Sequence, residues 1–240
     1  MSDNKTIRLQ VALSHAGVAS RRKAASVIEQ GRVSVNGVII NAKGHSVDPE
    51  NDKIIVDGKS IRFKKKIYIL MNKPKGVITS RHDPEARKTV FDILPPQFRQ
   101  LHPVGRLDKD TTGLLLLTND GDFTYRLTHP KFEILKKYRV YCKGKIGEEE
   151  KRPLERGMMI DGKRTARAKV KIIRADIDGS DLLIEIHEGK KRQIRKMFLF
   201  LGHPSKRLER VAYEFLKLGS VKKGEFRYLT RAEVKKLKTL

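Results

Sequence analysis

Residues 105–121 read Gly-Arg-Leu-Asp-Lys-Asp-Thr-Thr-Gly-Leu-Leu-Leu-Leu-Thr-Asn-Asp-Gly, and they hold the carboxylate best placed for chemistry, Asp108. The run Leu114–Leu117 closes on Asn119-Asp120-Gly121, so it suits a short buried strand. The half before it is polar and glycine-bounded and reads as a loop feeding that strand. A carboxylate on a loop anchored by a core strand is held firmly and still faces a cleft. Arg106 precedes Asp108 by two residues, and in an extended loop such a pair points to one side. Asp108-Lys109-Asp110 also offers a rival chemistry, a divalent-metal site, although Lys109 between the carboxylates works against cation binding.

Two further segments carry chemistry-bearing side chains. Lys137-Tyr138-Arg139-Val140-Tyr141-Cys142 alternates and is expected to form a strand, which puts Tyr138 and Tyr141 on opposite faces. A tyrosine there is either core or a ring that stacks on a planar ligand. Glu188-Gly189-Lys190-Lys191-Arg192-Gln193-Ile194-Arg195 leads into Ile194, Met197, Phe198 and Leu201, an i, i+3, i+4, i+7 helical face. On spacing alone, Arg195 is one more cation on a basic helix. Several chemistries are not signalled. The chain has no phosphate-binding Gly-x-x-x-x-Gly-Lys-Ser/Thr loop and no Gly-x-Gly-x-x-Gly fingerprint. Its seven histidines form no His-Glu-x-x-His, and one cysteine cannot build the common thiolate zinc clusters. Neither a metal nor a cofactor is expected.

The elements that must position these residues fall into two parts. Near the start, Leu9, Ala12, Leu13 and Ala16 mark one helical face, with Gly17 placed to end it. Ser20 fits an N-cap, Ala24, Val27 and Ile28 supply a second apolar face, and Gly31 stops that helix. Asn36-Gly37 between Val33-Ser34-Val35 and Val38-Ile39-Ile40 is a hairpin signal, and residues 53–58 look like another strand and turn. Phe63-Lys64-Lys65-Lys66 reads as a linker. The boundaries expected are therefore 1–62, a linker at 63–66, and 67–240.

The second part opens with a strand, Ile67–Met71, ending at the breaker cluster Asn72-Lys73-Pro74-Lys75-Gly76. A short helix is expected around Phe123–Leu127 and strands at Val170–Arg174 and Leu182–His187. A last helix is expected within residues 230–237. Strand-rich stretches with intervening helices indicate an α+β fold.

Charge is the extreme property of the 240 residues. Lys and Arg number 53 against 28 Asp and Glu, a net of +25. Residues 1–66 hold 13 of the basic and 6 of the acidic side chains, so both parts are basic and both are expected to meet a polyanion, RNA or DNA foremost. Cys142 stands alone, which excludes an intrachain disulfide. The opening residues carry no apolar signal segment, and no run approaches the ~20 apolar residues of a membrane span. A cytoplasmic monomer without membrane contact is expected.

The ordered motifs resemble a known family. Gly105–Gly121, Asn72-Lys73-Pro74-Lys75-Gly76, and Gln193-Ile194-Arg195 together resemble the pseudouridine synthases of ribosomal RNA. The first part, with Ser20-Arg21-Arg22-Lys23 opening its second helix, resembles the RNA-binding module named after ribosomal small-subunit protein four. The resemblance implies a small two-helix-plus-sheet RNA-binding domain followed by a mixed-sheet catalytic domain around an RNA cleft. It also implies isomerisation of uridine to pseudouridine, which needs no cofactor. The expected substrate is a structured hairpin or a ribosomal subunit precursor. By the same resemblance, Asp108 is the catalytic carboxylate, attacking C1′ or taking a proton at C2′. Arg195 pairs with it, and Tyr138 stacks on the base and offers its hydroxyl. Ile194 lines the pocket, and Arg106 enters the stack that the uridine leaves. Lys73 is expected to touch substrate, though a plain basic turn reads equally well there. Arg21, Arg22 and Lys23 are expected to bind phosphate, helped by a helix N-terminus. Lys88–Leu94 and Thr118–Gly121 favour the large-subunit members, whose pattern small-subunit members largely share. Val211-Ala212-Tyr213-Glu214-Phe215 departs from the family's arginine-rich, glycine-containing version. A non-catalytic ribosome-binding protein fits the charge and the first module, but would not need Asp108, Tyr138 and Arg195 in that order.

Overall fold

The computed structural model describes residues 6–63 and 65–240. Residues 1–5, on which part of the reading of the N-terminus rests, and Lys64 of the expected linker lie outside the described residues. The chain divides into two compact units, Met1–Lys66 and Ile67–Leu240.

In the first unit, helices α1 (Leu9–His15) and α2 (Arg21–Glu29) pack beside a four-stranded antiparallel sheet. The sheet's strands are β1 (Val33–Val35), β2 (Val38–Ile40), β3 (Ile54–Val56) and β4 (Lys59–Ser60), in the order β2-β1-β3-β4. Ser20 caps α2 by accepting from the Lys23 amide. Asn36 and Gly37 both have positive φ (51° and 88°), the conformation a two-residue hairpin turn requires. Leu9, Leu13, Ala24, Ile28, Val33 and Ile54 are buried together as the core.

The second unit is built on a nine-stranded mixed sheet. Its strands begin with β5 (Tyr68–Lys73), β6 (His102–Val104), β7 (Thr112–Thr118) and β8 (Lys136–Lys143). Next come the two-residue pair β9 (Met159–Ile160) and β10 (Lys163–Arg164), which form a separate hairpin. The sheet resumes with β11 (Lys169–Ala175), β12 (Gly179–Ile186), β13 (Ser205–Tyr213), β14 (Leu216–Lys217) and β15 (Phe226–Tyr228). The order is β11-β12-β8-β13-β7-β5-β15, with β14 on β13 and β6 on β7. Helices α3 (Gly121–Thr128), α4 (Glu148–Arg156), α5 (Gln193–Phe200) and α6 (Arg231–Thr239) complete the unit.

Among the described residues, one junction of this sheet is parallel. It joins β13 to β7 through two residue pairs, Glu209 with Thr112 and Arg210 with Gly113. The approach is so close that a Cβ on Gly113 (φ +103°) would lie 2.3 Å from the Arg210 carbonyl oxygen, so only glycine fits. The four leucines of β7 divide between two cores. Leu115 and Leu117 join one face and Leu114 and Leu116 the other, which explains the uninterrupted apolar run.

One expected strand end changes. The strand expected to end at Met71 continues through Lys73, because Asn72 and Lys73 keep pairing with Leu114 and Gly113. The helix α4 and the strand β13 had no clear apolar periodicity. In α4 only Leu154 is buried, three glutamates fill the first turn, and the Gly147 amide donates to the Glu150 carboxylate at 3.0 Å. Among the described residues no helix is long and apolar enough to cross a membrane.

Candidate active site

Asp108 sits on the loop between β6 and β7, and the loop is fixed from three directions. Leu107 is buried in the core, its carbonyl accepts from the Thr79 hydroxyl at 2.8 Å, and its amide donates back to that hydroxyl at 3.3 Å. The Thr111 amide donates to the Asp108 carbonyl at 3.0 Å and closes a turn. From beneath, the Lys73 ammonium donates to the carbonyls of Thr111 (2.9 Å), Asp108 (3.1 Å), Pro74 (3.1 Å) and Lys109 (3.4 Å). Lys73 is 0% exposed, so the expectation that it touches substrate is corrected. Its amine is consumed by backbone carbonyls, which a buried cation needs once it leaves water. Burial lowers its pKa to about 8, opposed by the charges of Asp108 and Asp110.

Above this loop lies a cavity of about 530 Å³, within the roughly 300–1,000 Å³ of small-ligand pockets. Arg106 and Asp108 both line it, with Tyr138 from β8 and Ile194 from α5. Ile186 and Leu208 add apolar wall, and Lys190, Lys191 and Arg192 form a basic rim. An apolar slot with one carboxylate and a cationic mouth suits a planar base whose phosphates remain outside. Arg106 is exposed and Asp108 is half-buried, as a rim contact and a reacting group would each require. Tyr138 lines the cavity while only 8% exposed.

Arg195 lies behind the pocket wall. Its guanidinium donates to the Asp110 carbonyl at 2.9 Å and to the Ser205 hydroxyl at 3.3 Å. The expected ion pair with Asp108 is not formed. Among the described residues, the guanidinium's hydrogen bonds go to Asp110, Thr111 and Ser205 instead. The turn Asp108–Thr111 carries the Asp110 carbonyl toward α5, so the arginine braces the loop through backbone. Burial depresses the Arg195 pKa, Arg192 adds to this, and Asp110 and Asp108 oppose it.

The residue types in Gln193-Ile194-Arg195 thus divide their labour. Gln193, to which the sequence assigns no evident role, is buried; its amide donates to Glu188 at 2.5 Å and its oxygen accepts from the Lys190 amide at 3.0 Å. That closes the basic rim into a fixed loop, helped by Arg192 in the left-handed conformation (φ 53°). Lys136 is a second residue that sequence reasoning does not single out. Its amine donates to the Ile134 and His187 carbonyls at 2.9 and 2.8 Å, tying the start of β8, two residues before Tyr138, to the end of β12. The only sequence signal for either is a polar residue at an inward position. Arg21, Arg22 and Lys23 are exposed at the start of α2 in the first unit.

Residues 67–200 match the family model described as RNA pseudouridylate synthase, and residues 7–61 match that of the S4 domain. The chain belongs to the RNA pseudouridine synthase family. Among relatives of this synthase, the ribosomal large subunit pseudouridine synthase B of Bacillus subtilis is 44% identical over 97% of this chain and 96% of its own. An uncharacterized RNA pseudouridine synthase of Aquifex aeolicus is 37% identical over 96% of this chain and 93% of its own. A crystal structure of a pseudouridylate synthase superposes on the synthase with a TM-score of 0.70 at 30% identity, covering 96% of this chain and 99% of that one. The α+β fold, with an S4 domain ahead of a mixed-sheet synthase domain, is that of the family.

Proposed function

We propose that this enzyme converts a uridine of large-subunit ribosomal RNA to pseudouridine, acting as a monomer in the cytoplasm. The observation that carries the reading is the Asp108 carboxylate, on a loop held through three of its carbonyls by Lys73, in a cavity shared with Tyr138 and Ile194. The reaction breaks C1′–N1, joins C1′ to C5, releases the C5 proton to solvent, and leaves N1 to take up a proton in its place. Asp108 works at the ribose, as nucleophile toward C1′ or as base toward C2′. Tyr138 and Ile194 contact the rotated base, and Tyr138 offers its hydroxyl to proton transfer at C5. Arg195 positions Asp108 through the Asp110 carbonyl.

Extruding a uridine costs a few kcal/mol, and the planar Arg106 guanidinium is placed at the rim to stack where the base was. Arg21, Arg22 and Lys23 contact phosphate in the first unit. The name of the 44%-identical relative supports the large-subunit assignment. The test is to map pseudouridine in ribosomal RNA from cells with and without the protein. Loss of a single large-subunit pseudouridine is expected. Loss from the small subunit alone, or no loss, would overturn the assignment.

A further inference from the structure

Residues 125–132, from helix α3 into the turn that follows it, hold a cluster of rings and cations outside the pocket. Tyr125 is 47% exposed. Its ring packs on His129 at 4.8 Å between centroids and edge-on to Phe132 at 5.9 Å. Lys131 lies 5.3 Å from the Tyr125 centroid and 4.8 Å from that of Phe132, and Arg126 lies 5.2 Å from Phe132. Phe132 packs against buried residues beneath and so fixes the platform to the core. None of these five residues lines the cavity.

Helix α3, which carries Tyr125 and Arg126, adjoins the start of the Asp108 loop. His102 at the start of β6 meets the Thr124 hydroxyl at 2.9 Å, and a Cβ added at Gly105 would lie 3.7 Å from Thr128 Cγ2. Gly105 is next to Arg106. Tyr125 is therefore on the helix that touches the start of the Asp108 loop, while Phe132 belongs to the core on the other face of the sheet from the pocket residues Leu107, Tyr138 and Ile194.

We propose that Tyr125 is a stacking site for an unpaired base of the substrate RNA, with Lys131 contacting the adjoining phosphate; the Arg126 guanidinium is held by the Leu240 carbonyl at 2.6 Å. This inference rests on the proposed RNA substrate. A ring open to solvent stacks on any base whose face is free, whereas bases inside a duplex are already stacked. A cation against the same rings supplies the phosphate contact that such platforms combine with stacking. A chain of net charge +25 favours a polyanion over an acidic patch of protein as the occupant.

The probe is a fluorescently labelled hairpin from large-subunit ribosomal RNA, with and without unpaired flanks, titrated with the full chain. Tyr125→Ala is expected to raise Kd for the flanked hairpin by roughly 5- to 100-fold, the range for removing one stacked base. Tyr125→Phe keeps the ring and is expected to bind as wild type. Lys131→Ala is expected to lower the log–log salt slope by roughly 0.7–0.9. An unchanged Kd for Tyr125→Ala, or an equal loss for Tyr125→Phe, would overturn the proposal and leave the cluster to a protein partner. Binding is read without catalysis. A wild-type protein that binds the hairpin but releases no tritium from C5-labelled uridine would therefore defeat the proposed reaction and not this site.

Discussion

The ammonium of Lys73 donates to the backbone carbonyl of Asp108 at 3.1 Å, across 35 residues of chain. A side chain that never reaches the surface thereby holds the loop that carries Asp108. Lys73→Met removes the donor to four carbonyls and leaves buried acceptors unpaired, at a cost of roughly 1–3 kcal/mol. The single-turnover rate is expected to fall more than the RNA affinity.

The same lysine makes a pH prediction. Its folded pKa is about 8 against an ordinary 10.5. Above pH 8 the folded amine is neutral, with two donors in place of three, and the Asp108 loop loosens. The rate is expected to decline as pH rises through about 8. Stability moves the other way at this group. Between about 8 and 10.5 the unfolded chain holds the extra proton, so its contribution to stability rises with pH. Urea unfolding of wild type and Lys73→Met at several pH values isolates that difference. A rate that climbs through this window, or a stability difference with no pH dependence, would refute the assignment.

Asp108→Asn keeps size and removes charge. Tritium release is expected to vanish while hairpin affinity stays near wild type, because the basic rim is untouched. Retention of more than roughly a few per cent of the rate, with deamidation excluded, would remove Asp108 from the chemistry.

Arg195→Met is expected to cut the rate far more than the affinity, since it removes the brace on the Asp110 carbonyl and on Ser205. Arg195→Lys is expected to rescue little, because one ammonium cannot reach both partners as a planar fork does. Equal losses in rate and affinity across unrelated RNAs would make Arg195 an ordinary phosphate contact.

The first unit carries 13 basic side chains, among them exposed Arg21, Arg22 and Lys23, and its own core. Removing residues 1–66 is expected to weaken binding and lower the salt slope by roughly 0.7–0.9 for each phosphate that is no longer neutralised. Activity at high RNA concentration is expected to survive. An unchanged salt slope would show that the first unit does not touch substrate.

Much of this molecule follows from local pattern. The i, i+3, i+4, i+7 apolar spacing of Leu9–Ala16 and of Ile194–Leu201 specifies helices, because that period puts one face against a core. Asn36-Gly37 specifies its hairpin, since few residues accept positive φ. The ordered motifs around Asp108 and Gln193-Ile194-Arg195 mark the family, and the net charge marks a polyanionic partner. Helix α4 and strand β13 were not legible, because glutamates, lysines and arginines mask the single buried Leu154 in one and the alternation of Leu208 and Arg210 in the other.

Only the tertiary structure decided where the polar side chains end. Lys73 reads as a substrate contact or a basic turn residue, yet it is buried because β5 stays paired with β7 and faces the underside of the Asp108 loop. Arg195 reads as the partner of a carboxylate, yet it reaches a backbone carbonyl 85 residues away. A backbone carbonyl is present at every position and leaves no mark in a sequence. Its availability depends on which carbonyls the fold leaves without a strand or helix partner, and that is set by long-range packing.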